Sequence, residues 1–229
     1  HIVSERRRED LEKLRIEQES TIRLVRQIST TIELEPLLAI LGKELMKLKL
    51  FDGYMIALAD TNEMNLVCEA ISLPDEYYGI ERTYLKFAYP LNCGDVMTMS
   101  YSSGESIFYG NENIDEYADT TRHLFKAWKL KSIVAIPLKH LDTKLGSLVV
   151  FSQSKRLESS CLEPVISLIP LFLEQIKNAI FYSRLKAEEK EINNASELNQ
   201  KFLQFVSDVN NLSSIDLIYQ LFSEEFLRR

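Results

Sequence analysis

The sequence predicts an α+β protein, and two patterns carry that prediction. Both ends of the chain space their apolar residues by three and four positions, as amphipathic helices do, whereas the middle alternates with a period near two, as strands do. The 229 residues include only seven glycines and six prolines, which favours long regular elements. With 45% hydrophobic and 27% charged residues, the composition is that of a globular protein and excludes a disordered tail, a collagen-like rod and a disulfide scaffold.

Residues 1–32 are predicted to form a charged N-terminal signalling helix that pairs as a coiled coil. A narrow apolar stripe, interrupted by two polar residues, runs through this segment and consists of Leu11, Leu14, Gln18, Thr21, Val25, Ile28 and Ile32. Because so narrow a stripe buries little surface by itself, the helix needs a partner, and a second copy of the chain is the simplest one. The alternative is a helix that lies on its own domain.

Residues 33–182 are predicted to form one domain around two β-hairpins. A short helix begins at Pro36, and its apolar face consists of Leu37, Ile40, Leu41, Leu45 and Leu48. The runs "FDGYMIALAD" and "NLVCEAIS" are rich in strand-forming residues and are joined by turn formers, so they predict the first hairpin. The runs "SIVAIPLKH" and "GSLVVFSQS" predict the second hairpin around "LDTKLG", with Pro137 at a sheet edge or a bulge.

The segment between the hairpins is less regular. Residues 73–90 are rich in tyrosine and show no clear period. The run "CGDVMTMSYSSG" predicts a short helix that ends at Gly104, "SIFYG" predicts a short strand, and "IDEYADTTRHLFKAWKL" predicts a longer helix.

Residues 183–229 are predicted to form a long connecting helix and the truncated start of a second domain. The helical pattern begins near Leu157, and Pro170 predicts a kink or a late start because proline lacks a backbone donor. Residues 22–48 match residues 203–229 in their apolar pattern and share a break between two helices. This match predicts a tandem array with a repeat of about 180 residues.

The order of these elements resembles that of a GAF domain. The resemblance rests on four stretches: "ISTTIELEPLLAILGKEL" for the first helices, "FDGYMIALAD" with "NLVCEAIS" for the first hairpin, "KSIVAIPLKHLDTKLGSLVVFSQ" for the second, and "FLEQIKNAIFYSRLKAEE" for the exit helix. It covers residues 22–190. The stretch "YPLNCGDVMTMSYSSGESIFYG" also fits the segment that rims the family's ligand pocket.

The resemblance implies both an architecture and a function. The expected fold is a central antiparallel sheet of about six strands, with the long N- and C-terminal helices on one face and short helices and loops over the other. GAF domains are regulatory modules of sensor histidine kinases, nucleotide cyclases and phosphatases. The resemblance therefore implies a non-catalytic sensory module of a bacterial-type signalling protein, with any catalytic output elsewhere in its parent chain. The alternatives are a ligand-free dimerisation spacer, a cyclic-nucleotide-binding GAF domain and a small reductase that acts through Cys93.

Two known ligand classes of the family lack their signatures here. Cyclic-nucleotide-binding members carry an Asn-Lys…Phe…Asp-Glu pattern after the last strand, whereas this chain reads "SQSKRLESSCLEP" and matches only Lys155. Members that bind a bilin attach it to a cysteine commonly followed by histidine, and no cysteine of this chain has a neighbouring histidine. The resemblance therefore leaves the ligand and any cofactor unidentified.

A small-molecule pocket is expected over the sheet. Its candidate residues are Tyr89, Cys93, Val96, Phe108, Tyr109, Tyr117, His123, Phe125 and Trp128. The aromatic members are equally consistent with a filled core, and His123 with an exposed helix position. The sequence has no phosphate-binding loop and no His-Glu-x-x-His pair, so we expect neither a catalytic nor a metal site.

Cysteine usage and charge constrain the compartment and the partners. Three widely spaced cysteines, Cys68, Cys93 and Cys161, favour reduced thiols and a cytoplasmic protein. A net charge of −7 argues against binding to nucleic acid or anionic lipid, and no apolar run is long enough to span a bilayer. The chain lacks an initiator methionine, so we expect a piece of a longer protein. The expected partner is a second copy, paired through residues 4–32 and 171–209, together with a small molecule in the pocket.

Overall fold

A computed structural model describes residues 2–77 and 79–210 of the chain. The chain divides into two compact units, His1–Phe181 and Tyr182–Arg229. The predicted second GAF-like copy, residues 203–229, falls mostly outside the described residues, because residues 211–229 are not among them. The second copy therefore stays a prediction.

The described elements alternate between helices and an antiparallel set of strands. The helices are α1 (Ile2–Thr30), α2 (Leu34–Lys47), α3 (Glu81–Tyr84), α4 (Val96–Ser103), α5 (Asp119–Ala127), α6 (Glu163–Leu168) and α7 (Pro170–Asn210). The strands are β1 (Gly53–Ala59), β2 (Asn65–Ser72), β3 (Ala88–Pro90), β4 (Ile107–Gly110), β5 (Ser132–His140) and β6 (Thr143–Ser152). They form one six-stranded sheet in the order β3-β2-β1-β6-β5-β4, and every neighbouring pair is antiparallel. The predicted α+β fold is confirmed.

Strand alternation builds two hydrophobic cores on opposite faces of the sheet. In β1, Ile56 and Leu58 face one core, which we call the helix-side core, whereas Met55 and Ala57 face the other, which we call the cavity-side core. The same alternation in β5 and β6 sends successive side chains to opposite cores. The central strands are therefore apolar on both faces.

Four helices cover the helix-side core, and one of them is α6, which buries Val165 there. Helix α2 buries one apolar face there, and α7 contributes the buried side chains of Phe172, Ile176 and Ala179. Among the residues of α1 whose burial is described, Ile28 is buried in this core and Leu24 packs partly against it, whereas the stripe position Val25 is 41% exposed. The end of the first helix thus rests on its own domain and leaves part of the stripe exposed.

The exit segment bends where the sequence places a proline. Helix α6 ends at Leu168, α7 begins at Pro170, and the two helical segments meet at 51°. Because proline has no N–H to donate to the preceding turn, the helix breaks there, as predicted. In the part of the chain that the structure describes, no single helix is long and apolar enough to cross a membrane, although this bent pair passes the same test by length and composition.

Two predicted boundaries were wrong. The second hairpin was expected to turn over "LDTKLG", but Thr143 and Lys144 already pair with His140 and Lys139, so that only Leu141 and Asp142 connect the strands. The helix expected over residues 114–130 is confined to Asp119–Ala127, and a 3-10 segment, Asn111–Glu116, precedes it. Exposed polar residues at a strand end resemble turn residues in sequence, which explains the first error.

Pro137 in β5 was expected at a sheet edge or a bulge. In the structure it lacks a paired strand on one side, and a bulge follows it. Strand β4 pairs with β5 only as far as Ala135, so in the described sheet no residue of β4 pairs with Pro137. The register of β5 against β6 then shifts between Leu138 and Lys139. A residue without a backbone donor is tolerated there because the ladder does not require one.

A single carboxylate ties the end of β6 to the start of β1. Asp52 Oδ2 accepts hydrogen bonds from Ser152 Oγ at 2.8 Å, from the Gln153 amide at 2.7 Å and from the Ser154 amide at 3.3 Å. Partial burial alone would raise the pKa of Asp52, but these hydrogen bonds outweigh it and hold the pKa below its ordinary value. The carboxylate therefore stabilises the fold in its charged form.

Asp52→Asn is expected to lower the free energy of unfolding by about 1–2 kcal/mol at pH 7, because a neutral acceptor replaces a charged one. Since the folded-state pKa lies below the unfolded value of about 3.9, this stabilisation is complete above that pH and is lost as pH falls through the folded-state pKa. Urea unfolding should show the gap between wild type and variant narrowing below about pH 4. Asp142→Asn, at an exposed turn residue, is the control. An equal gap at neutral and acidic pH would contradict the role assigned to Asp52.

Candidate functional site

A cavity of about 230 Å³ lies between α3, β3, α4 and α5. Its lining consists of Thr83, Tyr84, Phe87, Tyr89, Asp95, Val96, Met97, Thr120, Thr121, His123 and Leu124. Most of the surface that these residues expose to the cavity is apolar, and their polar groups are hydroxyls, one imidazole and one carboxylate. The residue types suit binding of a small molecule that is apolar over most of its surface.

The carboxylate belongs to Asp95, which begins helix α4. Its backbone is extended, and Asp95 Oδ1 accepts a hydrogen bond from the Thr98 amide at 2.8 Å, so Asp95 is the N-cap of the helix. The preceding Gly94 has φ +69°, a left-handed conformation that a side chain would disfavour. Asp95 is only 2% exposed although it lines the cavity.

Two hydrogen bonds hold α4 against the rest of the domain. The Val96 amide donates to Thr121 Oγ1 at 3.2 Å, which connects α4 to α5, and Thr121 is fully buried. Ser147 Oγ donates to the Met97 carbonyl at 2.9 Å, which connects α4 to strand β6. The start of α4 is therefore fixed to both a neighbouring helix and the sheet.

Aromatic residues of α3 and β3 form another part of the wall. The Phe87 and Tyr89 rings meet edge to face with centroids 4.9 Å apart, and Tyr84 meets Trp128 in the same way at 5.0 Å. Phe87 is 53% exposed, whereas Tyr89 is 6% exposed. Burial first, and then negative charge that includes Asp95, raise the pKa of Tyr89. The Tyr89 hydroxyl therefore stays protonated at neutral pH.

Three of the nine candidate pocket residues line this cavity: Tyr89, Val96 and His123. Phe125 and Trp128 are each 2% exposed and fill the cavity-side core instead. The interior on this side of the sheet is thus filled by buried side chains, and an open cavity lies beside it.

Three other candidates lie outside the lining. The Tyr109 and Tyr117 rings stack at 3.9 Å, and the Tyr117 hydroxyl donates to the Gly110 carbonyl at 2.7 Å, which anchors the chain after β4. Phe108 lies between Ile107 and Tyr109, which both pack against the cavity-side core, so it points to the opposite face and is 42% exposed. The structure does not bring Phe108 to the cavity.

Cys93 lies behind the cavity wall. Its thiol donates to Asp95 Oδ2 at 3.2 Å, and the residue is not among the lining groups. Burial, together with the negative charge of Asp95, raises the pKa of Cys93, and burial raises the pKa of Cys68 to about 12. Reactive cysteines have lowered pKa values, so neither thiol has the environment of a nucleophile.

Within the described ranges 2–77 and 79–210, no group of three His, Cys, Asp or Glu side chains is placed so that it could hold a metal ion.

No protein-family model matches the chain, and no curated protein sequence matches it. Solved structures do match.

The GAF domain of a two-component sensor histidine kinase from Bacillus halodurans is 17% identical, covers 67% of this chain and 99% of its own, and has a TM-score of 0.55. The GAF domain of an Acinetobacter phosphoenolpyruvate-protein phosphotransferase is 16% identical, covers 72% of this chain and 94% of its own, and also has a TM-score of 0.55. The chain has the GAF fold. At these identities the similarity concerns the fold alone.

A third GAF-fold relative is an enzyme. The free methionine-R-sulfoxide reductase from Neisseria meningitidis, solved in complex with its substrate, is 15% identical, covers 69% of this chain and 87% of its own, and has a TM-score of 0.51. The GAF fold alone therefore does not decide between sensing and catalysis, and the decision rests on the site.

Several lining residues of the cavity were not among the candidates expected from the sequence. Asp95, Thr120 and Thr121 were not proposed, nor were the wall residues Tyr84 and Phe87. A signal for Asp95 was present, because an aspartate directly before a helical run reads as an N-cap. No local signal marks Phe87, because its position depends on a residue distant in the chain, the Cys68 amide of β2, which donates to the Phe87 carbonyl at 3.0 Å.

Proposed function

We propose that this chain is a non-catalytic regulatory or sensory module of a signal-transduction protein, one that pairs through its long helices and binds a small molecule in its cavity. The observation that carries the proposal is the open cavity beside a filled core. A spacer needs no such opening, because its own side chains complete the packing. The cytoplasmic location expected from the sequence stays a prediction.

Pairing is supported by an unpartnered apolar stripe on α7. Within the unit Tyr182–Arg229, exposed apolar residues recur at helical spacing, and we call this set the α7 seam: Leu185 (47% exposed), Ile192 (68%), Leu198 (62%), Phe202 (61%) and Val206 (36%). Fully burying one such side chain contributes about 1.5–3 kcal/mol. A second copy of the same helix, parallel and in register, would bury Leu185, Ile192, Phe202 and Val206 in the seam and cover Leu198 at its side.

Some residues of the proposed interface, 4–32 and 171–209, are buried inside their own domain and cannot contact a partner. In α7, Phe172, Ile176 and Ala179 belong to the helix-side core, so partner contacts fall on the later residues. In α1, the exposed apolar positions Ile16, Ile22 and Val25 remain for a partner.

Signalling would follow from a change in helix packing. A ligand shifts a conformational equilibrium only by its differential affinity for the two states. An occupied cavity would favour one arrangement of α4 and α5 on the sheet, and the sheet carries α7 on its other face. The proposed output is thus a change in the paired helices, passed to the following domain.

A thermal-shift screen against small metabolites tests the sensory proposal. A ligand at 100 times its Kd adds about 2.7 kcal/mol to the free energy of unfolding. The matched control is Thr120→Trp, which places a large side chain at an exposed lining position. A genuine cavity ligand stabilises the wild type and leaves this variant unchanged. If no metabolite stabilises the wild type, the spacer function replaces the sensory one.

The spacer remains the second candidate because a specific observation favours it. The cavity of about 230 Å³ is below the range of about 300–1,000 Å³ typical of pockets for drug-sized ligands. The same volume, together with the missing signature after β6, disfavours a cyclic nucleotide. The raised pKa values of Cys68 and Cys93 disfavour the reductase alternative.

A further inference from the structure

We propose that the cavity is selective for a small organic ammonium ion, whose positive charge is received by the Asp95 carboxylate. This inference rests on the proposed function, in which the cavity is a ligand site. Three features carry it: a buried carboxylate in the wall, an incomplete set of donors to that carboxylate, and an aromatic wall.

Burial is the first feature. Asp95 is 2% exposed and lines the cavity, so little water reaches it except through the cavity itself. A buried charge is costly unless it is paired and hydrogen-bonded. The helix that Asp95 caps offsets part of that cost, since the N-terminus of a helix favours negative charge.

The second feature is that the Asp95 carboxylate can accept further hydrogen bonds. Asp95 Oδ1 accepts from the Thr98 amide at 2.8 Å, which is a good donor. Asp95 Oδ2 accepts from the Cys93 thiol at 3.2 Å, and a thiol is a weak donor. An ionised carboxylate offers about four acceptor positions, so both oxygens have capacity left for a ligand N–H.

The charge of Asp95 also lacks a partner within the described part of the chain. The ion pairs found there join other residues, and none includes Asp95. The lining contains no lysine and no arginine. An anionic ligand would meet a negative charge that no lysine or arginine of the lining balances, whereas a cation would supply a counter-charge.

The aromatic wall is the third feature. Tyr84, Phe87 and Tyr89 contribute rings to the lining, and the face of such a ring attracts a cation. A compact alkyl ammonium ion matches both the apolar wall and the small volume. The expected ligand therefore has one positive charge and a short carbon skeleton.

The test uses three probes that share a carbon skeleton and differ in charge: isoamylamine, which is a cation at neutral pH, isoamyl alcohol, which is neutral, and isovalerate, which is an anion. Binding to the full chain is measured by calorimetry at pH 7 and constant ionic strength. The ammonium ion is expected to bind at least about tenfold more tightly than the alcohol, as one charge-assisted hydrogen bond implies, and isovalerate to bind most weakly.

Asp95→Asn isolates the charge, because asparagine caps a helix about as well as aspartate does. This variant should lose the preference for the ammonium ion, whereas Asp142→Asn, which removes one exposed charge elsewhere, should keep it. Phe87→Leu keeps an apolar wall but removes one ring, and it should weaken ammonium binding about two- to fivefold.

The outcomes separate this inference from the proposed function. Tighter binding of the alcohol or of isovalerate would overturn the ammonium preference and leave a sensory cavity intact. Failure of all three probes, while a metabolite screen still finds a cavity ligand, would also overturn it alone. Failure of the probes and of the screen would overturn both. If Asp95→Asn does not fold, the ranking of the probes on the wild type still decides.

Discussion

Gly146→Ala is expected to lower the free energy of unfolding by about 3 kcal/mol, at the upper end of the cost of overpacking a core. Gly146 lies in β6 between Leu58 of β1 and Leu138 of β5. An added Cβ would lie 2.0 Å from the Ala57 carbonyl oxygen and 2.8 Å from the Leu58 Cα. These are backbone atoms of a central strand, so no side-chain rotation relieves the clash. Strands β1 and β6 therefore have to separate, which disturbs both hydrophobic cores because both contain residues of these strands.

Gly110→Ala is the matched control, since it adds the same methyl group to another strand. There the added Cβ would meet Glu112 Oε2 at 2.0 Å, the far end of an exposed side chain that rotates away. The cost is the surface ion pair of Glu112 with Arg156, about 0–1 kcal/mol. Urea unfolding measures both variants. Equal losses at the two glycines would contradict the close approach of β1 and β6.

Leu185→Glu combined with Ile192→Glu is expected to raise the dissociation constant of the dimer at least about a hundredfold, which corresponds to about 3 kcal/mol. Each substitution places a charge in both copies of the α7 seam and removes apolar surface from it. Two like charges that face each other across a seam also repel. Sedimentation equilibrium should detect monomers where the wild type is dimeric.

The matched control adds the same two charges to the outer face of the same helix. Asn193→Glu with Gln200→Glu changes two exposed positions that lie seven residues apart and off the α7 seam, and should leave the dissociation constant nearly unchanged. If both double variants dissociate equally, the effect comes from net charge and not from the seam. If neither dissociates, the α7 seam is not the interface.

Most of the sheet is predictable because its hairpins depend on local signals. A period near two and the turn formers Asp60, Thr61 and Asn62 locate the first hairpin, and the missing donor of Pro170 locates the bend. The start of the second strand of the second hairpin was misplaced by three residues, at Gly146 instead of Thr143, because Thr143 has a side chain typical of a turn.

The residues that line the cavity are harder to predict, because tertiary packing decides which side chains reach it. The run Ile107, Phe108 and Tyr109 is apolar throughout, so the sequence gives no alternation from which to assign the face of Phe108. Trp128 is as aromatic as Phe87, but contacts with Tyr84 and Phe151 bury Trp128, whereas Phe87 stays in the open wall. Such differences arise from long-range contacts that local patterns do not record.

Disulfide cross-linking along α7 tests most directly whether two copies pair in parallel and in register. Ala195 continues the α7 seam between Ile192 and Leu198, whereas the adjacent Asn194 lies off it. Helices pack with axes about 8–10 Å apart, which brings equivalent seam positions close to the Cα separation of about 4–7 Å that a disulfide needs. With Cys93 and Cys161 replaced by serine, mild oxidation of the Ala195→Cys variant is expected to give a covalent dimer, and oxidation of Asn194→Cys is not. Equal cross-linking at both positions, or none at Ala195→Cys, would contradict the paired-helix account.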